Sequence, residues 1–217
     1  MLIGLSGKKQ SGKNEAANIL QELLPTPHEI HMFAYHLKKF VADILKVPIT
    51  QLESEEFKNT VLPNSFGLNK TVRKLLQDIG IKMREIHPDF WVNSLFCNYN
   101  NSNWLITDVR FLNEVERIVA NGGVLIRLER VVGKSCTVKG YKGTFIITSV
   151  HSDYYSLDNH FLIPKNKIKI IKDDSITETS LDNYAFQHVI HNNYDKGYLK
   201  LELLKIILQY GINKATA

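Results

Sequence analysis

Short apolar segments alternate with amphipathic stretches along most of the chain. An apolar run predicts a buried parallel strand over residues 1–5, and further strands are predicted over residues 29–33, 104–107, 124–128 and 186–190. Apolar residues at helical spacing predict a helix that ends before Pro25 and further helices over residues 34–46, 71–86, 90–99, 112–120 and 199–210. Strands that alternate with helices in this way are typical of an α/β fold with a central parallel sheet.

Two segments depart from this alternation. Residues 47–69 are irregular, with two prolines and several asparagines, and they interrupt the mostly helical residues 34–100. Residues 131–176 are rich in lysine, glycine, threonine and β-branched residues, and they separate a core strand from the last core elements. We therefore predict one domain over residues 1–217, with a helical excursion and an insertion that acts as a lid or subdomain.

Composition and charge narrow the class of protein. A chain of 217 residues with 44% hydrophobic residues, 12 glycines and 6 prolines is neither disordered nor collagen-like. Two cysteines are too few for a secreted disulfide scaffold, and neither a signal peptide nor an apolar run of about 20 residues is present, so we expect a cytoplasmic protein without a membrane span. The net charge of +5 suits nucleic acid or a small phosphorylated substrate, and the lack of a run of consecutive cations disfavours nucleic acid.

The most informative motif follows the first strand. Residues 7–14 read GKKQSGKN and match G-x-x-x-x-G-K between a predicted strand and a predicted helix, where this motif forms a phosphate-binding loop. Its backbone N–H groups and the helix N-terminus would bind phosphate, and Lys13 would reach the outer phosphates. The next position, usually Ser or Thr with its hydroxyl on Mg²⁺, is Asn14, whose amide oxygen is a candidate ligand.

A second candidate lies at the end of the strand over residues 104–107. Asp108 would lie at the carboxyl end of a parallel strand, where a carboxylate can hold Mg²⁺ through water or orient an acceptor. Alternatively, Asp108 caps the helix that follows. Arg110 is a candidate for a bidentate contact with a phosphate.

Several segments together resemble one family. GLSGKKQSGKNEAA, FAYHLKKFVADIL, TVRKLLQDIGIKMREIHPDFWV, LITDVRFLNEVERI, GGVLIRLER and TETSLDNYAFQHVIHNN occur in the order of the bacteriophage deoxynucleoside monophosphate kinases. The resemblance covers residues 1–130 and 177–210. It implies a P-loop NTPase three-layer sandwich with a central parallel sheet, an acceptor-binding excursion over residues 34–100 and a lid-like insertion over residues 131–176. It also implies transfer of the γ-phosphate of ATP to a deoxynucleoside monophosphate, with Mg²⁺ as cofactor.

The resemblance further implies roles for individual residues. Binding of ATP falls on Gly7, Ser11, Gly12, Lys13, Asn14 and Asn192. Binding of the acceptor falls on Phe33, Lys38, Arg73, Gln77, Arg84, Trp91, Asp108 and Arg110. Catalysis falls on Lys13, Asp108 and Arg130, and Mg²⁺ binding on Asn14 and Asp108. Steps of four and eleven residues place Arg73, Gln77 and Arg84 on one face of the predicted helix.

The sequence departs from this family at two points, which keeps alternatives open. Asn14 and Glu15 replace an acidic residue and a threonine, and the family's His-x-Ser-Glu motif reads SITE at residues 175–178, with residues 151–153 as a candidate displaced equivalent. The alternatives are another P-loop kinase, such as one acting on a coenzyme precursor, and a nucleotide-binding regulatory module without turnover. We expect a small nucleoside monophosphate as the partner, no membrane, and the host cytoplasm as the location if the gene is phage-encoded. A homodimer is left open.

Overall fold

The computed structural model describes residues 1–142, 144–150, 153–157, 162–171 and 176–211. Its strands are β1 Leu2–Ser6, β2 Glu29–His31, β3 Trp104–Val109, β4 Val124–Glu129, β5 Ser135–Val138, β6 Phe145–Val150, β7 Tyr154–Leu157, β8 Leu162–Pro164, β9 Ile168–Ile170 and β10 His188–His191. Its α-helices are α1 Lys13–Leu23, α2 Tyr35–Leu45, α3 Glu55–Asn59, α4 Val72–Ile86, α5 Phe90–Phe96, α6 Leu112–Ala120, α7 Ile176–Thr179 and α8 Lys196–Gln209. Short 3₁₀ helices cover Ile49–Glu53, Asn64–Phe66 and Lys165–Lys167. The candidate residues 151, 152 and 175 lie outside the described residues.

The chain divides into two compact units. The first unit contains Met1–Ile30 and Ser102–Ala217, and the second contains His31–Asn101. None of the helices in the described ranges is long and apolar enough to cross a bilayer. The single domain, the acceptor-binding role of residues 34–100 and the lid-like role of residues 131–176 stay predictions.

A five-stranded sheet forms the centre of the first unit, in the order β10-β4-β1-β3-β2. β1 pairs in parallel with β3 and β4, and β4 pairs in parallel with β10. Every residue of β1 is buried, which is why this strand is apolar throughout except for its last residue, Ser6. The predicted α/β fold with a central parallel sheet is confirmed.

Helices cover both faces of this sheet. Because side chains alternate along a strand, Ile3 and Leu5 pack in the apolar cluster formed with α1 and α8, while Gly4 faces α6 on the other side. A Cβ at Gly4 would lie 2.7 Å from Cδ1 of Ile118 in α6. The absence of a side chain at Gly4 therefore lets α6 pack closely against the central strand.

A second, antiparallel sheet accounts for the sequence between β4 and α7. Its strand order is β8-β7-β6-β5-β9, and all neighbouring strands in it pair antiparallel. The β-branched residues that set this segment apart build its own apolar cluster around Cys136, Val138, Ile147 and Leu157.

The second unit is built from α2 to α5 around a cluster of Val41, Ala42, Leu52, Leu62 and Val72. α4 begins after Thr71, whose hydroxyl accepts a hydrogen bond from the Lys74 N–H at 3.2 Å. The helix predicted over residues 71–86 is confirmed.

Three predicted details were wrong. The helical spacing places Leu37, Phe40, Val41, Ile44 and Leu45 on one apolar face of α2, but Phe40 and Ile44 are exposed, and the buried residues of this helix are Val41 and Ala42. α5 ends at Phe96 rather than at Tyr99, and the Tyr99 ring packs edge-on against Phe96 at 5.4 Å. The last strand begins at His188 rather than at Phe186, because the Phe186 ring packs against Tyr184 and the Arg127 guanidinium.

Candidate active site

The loop of residues 7–12 between β1 and α1, called here the glycine loop, needs glycine at two positions. Gly7 has φ 147° and Gly12 has φ 97°, a region that favours glycine. A Cβ at Gly7 would lie 2.4 Å from the Leu128 carbonyl oxygen, and a Cβ at Gly12 would lie 2.2 Å from Nδ2 of Asn192. The loop conformation therefore excludes side chains at both glycines.

Asn192 holds the glycine loop from behind. It is 5% exposed, and its Nδ2 donates to the Ser11 carbonyl oxygen at 2.9 Å. Its own backbone N–H donates to the Glu129 carbonyl oxygen at 2.7 Å, which ties the loop to the end of β4. The structure thus brings together the predicted residues Gly12, Ser11 and Asn192, with Asn192 against the loop backbone.

Lys13, the first residue of α1, folds back over the glycine loop. Its Nζ donates to the carbonyl oxygens of Gly7 at 2.6 Å and Lys8 at 2.8 Å, and it lies 3.4 Å from Oγ of Ser11. Burial is the main reason that the pKa of Lys13 falls to about 8, and the nearby Arg110 guanidinium lowers this pKa further. The Lys13 ammonium therefore loses part of its charge not far above neutral pH.

Two carboxylates oppose this effect on the pKa of Lys13. The charge of Glu178, and then that of Asp108, raises the pKa of Lys13. Asp108 and Arg110, the two predicted residues at the end of β3, therefore both act electrostatically on Lys13. Asp108 is half-buried, whereas Asn14 is exposed in the first turn of α1. The role of each in binding Mg²⁺ stays a prediction.

Glu178 of α7 is a site residue that we did not predict. Its side chain is 7% exposed, its Oε2 accepts the Lys9 N–H of the glycine loop at 2.7 Å, and its Oε1 forms an ion pair with Arg110. The Arg110 backbone is held as well, because its N–H donates to Glu114 at 2.7 Å and its carbonyl oxygen accepts from Ser180 Oγ at 2.8 Å. Glu178 is the last residue of the Ser-Ile-Thr-Glu segment at residues 175–178, which resembles the family's His-x-Ser-Glu motif. This resemblance could have identified Glu178 from the sequence.

Arg127 is a second residue that the sequence analysis missed. It is 6% exposed within β4, its Nη1 lies 3.2 Å from Oγ of Ser6, and its Nη2 lies 3.5 Å from Oδ1 of Asp182. Asp182 also accepts from Lys8 Nζ at 2.8 Å, so this carboxylate joins Arg127 to the glycine loop. A single arginine within an otherwise apolar buried strand was the available signal.

A cavity of about 700 Å³ opens beside the glycine loop, between the ends of β4 and β10 and residues 179–186. Its lining includes the cationic residues Lys8, Arg127, Arg130 and Lys134 and the aromatic residues Tyr184 and Phe186. Burial, followed by the charge of Lys8, lowers the pKa of Lys134. Cations beside aromatic rings suit a ligand that carries both phosphate and an aromatic base.

The remaining predicted residues lie in the second unit, where several have partners. Lys38 pairs with Glu53 at 2.7 Å, and the Arg73 guanidinium donates to Glu55 at 2.8 Å and to Asn59 at 3.2 Å. The Gly80 carbonyl oxygen accepts Nε1 of Trp91 at 3.0 Å and Nη1 of Arg84 at 3.4 Å.

Phe33 and Trp91 are buried in the second unit, whereas Gln77 is not. Phe33 is buried and stacks with Phe96, their ring centroids 6.1 Å apart. Trp91 is buried as well, whereas Gln77 is half-buried on α4. Phe33 and Trp91 thus pack within the unit, and the predicted substrate-binding role of all six residues is untested.

Comparison with known proteins identifies the family. No protein-family model matches the chain. Over 147 residues, 60% of the chain, it is 31% identical to a protein of Acanthamoeba polyphaga mimivirus named "Putative deoxynucleotide monophosphate kinase", and the match covers 74% of that protein. The chain belongs to the deoxynucleotide monophosphate kinase family. It is thus a nucleotide kinase, an enzyme of the phosphotransferase class, while the predicted bacteriophage origin is untested.

Proposed function

We propose that this kinase transfers the γ-phosphate of ATP to a deoxynucleoside monophosphate and releases ADP and the deoxynucleoside diphosphate. The observation that carries the proposal is the glycine loop, closed at Gly7 and Gly12 and overlaid by a desolvated Lys13. A glycine loop that opens a helix after a buried parallel strand presents backbone N–H groups to phosphate.

ATP would bind to the glycine loop and the neighbouring cavity of the first unit. Gly7, Ser11, Gly12 and Lys13 would hold the phosphates, with Asn192 fixing the loop backbone from behind. Tyr184 and Phe186 offer aromatic faces to a base, and Arg130 lines the same cavity. The cavity's mixture of cations and aromatic rings supports this assignment.

The second unit would supply the acceptor-binding residues. Arg73 and Arg84 are held by Glu55 and the Gly80 carbonyl oxygen, so each guanidinium is already oriented. Planar guanidinium groups bind phosphate through two parallel hydrogen bonds, which suits a nucleoside monophosphate. Gln77, Lys38, Phe33 and Trp91 complete the proposed set.

Asp108 and Asn14 would be the protein ligands of Mg²⁺ in this proposal. The described ranges contain no group of three or more His, Cys, Asp or Glu side chains placed to hold a metal. Mg²⁺ in phosphotransferases is usually held by one or two protein oxygens together with substrate phosphates, and Asp108 already acts electrostatically on Lys13. Bound Mg²⁺ would neutralise charge on the phosphates.

The chemistry asks the protein for position and charge rather than for a covalent intermediate. The bond from the γ-phosphorus to the bridging oxygen of ADP breaks, and a bond to a phosphate oxygen of the acceptor forms. Lys13 and Arg110 would stabilise the charge on the transferred group, and Arg130 would contact ATP in the cavity that it lines. Glu178 holds Arg110 in place through their ion pair.

An assay of acceptor-dependent ADP release tests the proposal. The purified protein is given ATP, Mg²⁺ and each deoxynucleoside monophosphate in turn, and at least one should stimulate ADP release. Lys13→Met should lower kcat/KM by about 100-fold or more, because it removes the cation at the phosphates. Lys200→Met, at an exposed lysine paired with Glu22, is the matched control and should retain full turnover.

Two results would contradict the proposal. If no deoxynucleoside monophosphate stimulates ADP release, the chain acts on another acceptor or has no turnover, and ATP binding without turnover would favour a regulatory module. If Lys13→Met keeps full turnover, the glycine loop does not perform the chemistry.

A further inference from the structure

One edge of the antiparallel sheet carries a group of exposed lysines. In the β5–β9 pair Thr137 lies opposite Lys169, and the Lys139 N–H donates to the Lys167 carbonyl oxygen at 2.8 Å. Val138 is buried in the cluster of the insertion, while Thr137 and Lys139 on either side of it are exposed. Lys169 therefore lies on the side of the β5–β9 pair that faces away from its apolar cluster, and Lys139 and Lys167 are exposed directly after β5 and directly before β9.

These three lysines line a small groove. The groove has a volume of about 300 Å³, and Thr137 and Asn166 contribute hydroxyl and amide groups to it. Hydroxyl, amide and ammonium groups are the side chains that bind phosphate oxygens in nucleic-acid complexes. The groove therefore has the chemistry of an anion site.

The lysines of the groove have no carboxylate partner among the described residues, a property that they share with the exposed Lys39 and Lys46. Among the residues that the structure describes, no carboxylate oxygen lies within 4.0 Å of Nζ of Lys139, Lys167 or Lys169. Exposed lysines with a carboxylate within that distance are Lys70, Lys74, Lys82, Lys196, Lys200 and Lys205. Like charges on adjacent strands repel one another, and a bound anion would remove that repulsion.

An exposed aromatic side chain follows the same edge. Gly140, with φ 91°, turns the chain after Lys139, and Tyr141 is 65% exposed next to Lys142. Tyr141 is thus close in the chain to Lys139 and Lys142, and exposed rings together with cations bind single-stranded nucleic acid, because a ring stacks on a base while cations contact phosphates. In a duplex the bases are stacked and paired, so the Tyr141 ring would have no free base face.

We propose that the β5–β9 edge binds single-stranded nucleic acid, with Lys139, Lys167 and Lys169 on the phosphates and Tyr141 on a base. This surface is distinct from the glycine loop, and the proposal does not depend on the proposed kinase reaction. The sequence criterion of consecutive cations misses such a surface, because these lysines come from two segments that lie apart in the chain and meet only where the strands pair. Lysine on an edge strand also prevents unwanted strand pairing, so the test must separate the two roles.

Charge reversal separates nucleic-acid binding from protection of the edge strand, because glutamate protects an edge strand as lysine does but repels phosphate. Binding of a fluorescein-labelled single-stranded oligonucleotide of about 15 nucleotides is followed by anisotropy at several salt concentrations. Lys139→Glu/Lys167→Glu/Lys169→Glu should weaken binding at least about tenfold and flatten the slope of log K against log salt by about 2, at about 0.7 per phosphate contact. Tyr141→Ala should weaken binding about tenfold without changing that slope.

The matched control carries the same change of net charge elsewhere. Lys82→Glu/Lys200→Glu/Lys205→Glu replaces three exposed lysines on α4 and α8 and should keep the affinity and the slope of the wild type. Thermal unfolding of each variant shows whether it folds. Ultraviolet crosslinking of the same oligonucleotide to the wild-type protein should label Tyr141, which tests the site without any substitution.

Several results would overturn the proposal. These are no binding by the wild type, an equal loss in the control variant, crosslinks that map outside residues 135–142 and 165–171, and equal affinity for a duplex of the same length. Complete displacement of the oligonucleotide by inorganic phosphate at matched ionic strength would assign the groove to free phosphate and would also overturn it.

Discussion

Lys13 shows at the scale of one residue how the fold prepares a cation for phosphate. Its ammonium is desolvated yet surrounded by backbone oxygens of its own loop, and burial lowers its pKa to about 8. A lysine with its ordinary pKa would keep a full charge through the physiological range. The charge of Lys13 therefore responds to pH where that of a surface lysine does not.

ATP affinity should consequently depend on the pH. The protonated Lys13 binds phosphate, so affinity of the free protein should be highest below pH 8 and should fall as the pH rises through about 8. Calorimetric titration with ATP across this range measures the effect. Lys13→Met should bind more weakly and without that midpoint, and a wild-type affinity that stays constant across pH 8 would contradict the assignment.

Opposite charges beside Lys13 should move this midpoint in opposite directions. Glu178→Gln removes a charge that raises the pKa of Lys13, so the midpoint should fall, whereas Arg110→Met removes a charge that lowers this pKa, so the midpoint should rise. The same titration against pH measures both variants. Shifts of the same sign would show that the two side chains do not act on Lys13 through their charges.

Gly12 makes a second prediction at this scale. Gly12→Ala would place a Cβ within 2.2 Å of Asn192 Nδ2 at a φ of 97°, so the loop must shift. We expect ATP affinity to fall at least about tenfold, with a loss of stability of about 1 to 3 kcal/mol. Gly67→Ala is the control, because Gly67 also has positive φ but its Cβ would meet nothing within 4 Å. Equal effects of the two substitutions on ATP binding would contradict the steric requirement for glycine at position 12.

At the scale of elements, α4 and α5 are joined through one carbonyl group. Nε1 of Trp91 in α5 donates to the Gly80 carbonyl oxygen at 3.0 Å, and a Cβ at Gly80 would lie 3.3 Å from Leu37 in α2. Three helices of the second unit thus meet at Gly80. The sequence predicted α4 correctly, but it did not indicate that Trp91 hydrogen bonds to the α4 backbone.

Removal of the Trp91 donor should weaken this junction. Trp91→Phe keeps an aromatic ring but loses the hydrogen bond and part of the side-chain volume, and we expect a loss of about 1 to 3 kcal/mol in the free energy of unfolding. Urea denaturation followed by circular dichroism measures it. Ile86→Ala, at an exposed position at the end of α4, should change stability by less than about 0.5 kcal/mol. A comparable loss in both variants would contradict the role of the hydrogen bond.

At the scale of the whole molecule, the net charge of +5 belongs to the whole chain, and the first unit contains two groups of cations with different surroundings. One group of cations, Lys13, Arg110 and Arg127, surrounds the glycine loop in the company of Glu178 and Asp182. Another group lies on the β5–β9 edge without carboxylate partners among the described residues. The total charge alone could not distinguish these two arrangements.

The antiparallel sheet has its own apolar cluster, which predicts local unfolding. Ile147 is fully buried in that cluster, and Ile147→Ala should destabilise the sheet by about 2 to 5 kcal/mol. In hydrogen exchange, the amides of the five strands from β5 to β9 should lose protection, while those of β1 and β4 keep it. Loss of protection to the same extent in both sheets would show that they unfold together.

The sequence by itself determined the order of the strands and helices of the central parallel sheet and the place of the glycine loop, and it indicated where the composition changes after β4. Each of these depends on residues close together in the chain, such as the apolar run before Gly7 or the two glycines that follow α6. Local periodicity was less reliable for side-chain exposure, as Phe40 and Ile44 show, because exposure depends on what packs against a helix.

Only the tertiary structure decided which side chains meet at the glycine loop. Glu178 reaches Arg110 across 68 positions of sequence, and Asn192 reaches the Ser11 carbonyl oxygen across 181. No local pattern encodes such contacts, because they arise when the sheet brings the ends of separate strands to one edge. The lysines of the β5–β9 edge became one surface for the same reason: strand pairing placed Lys139 beside Lys167.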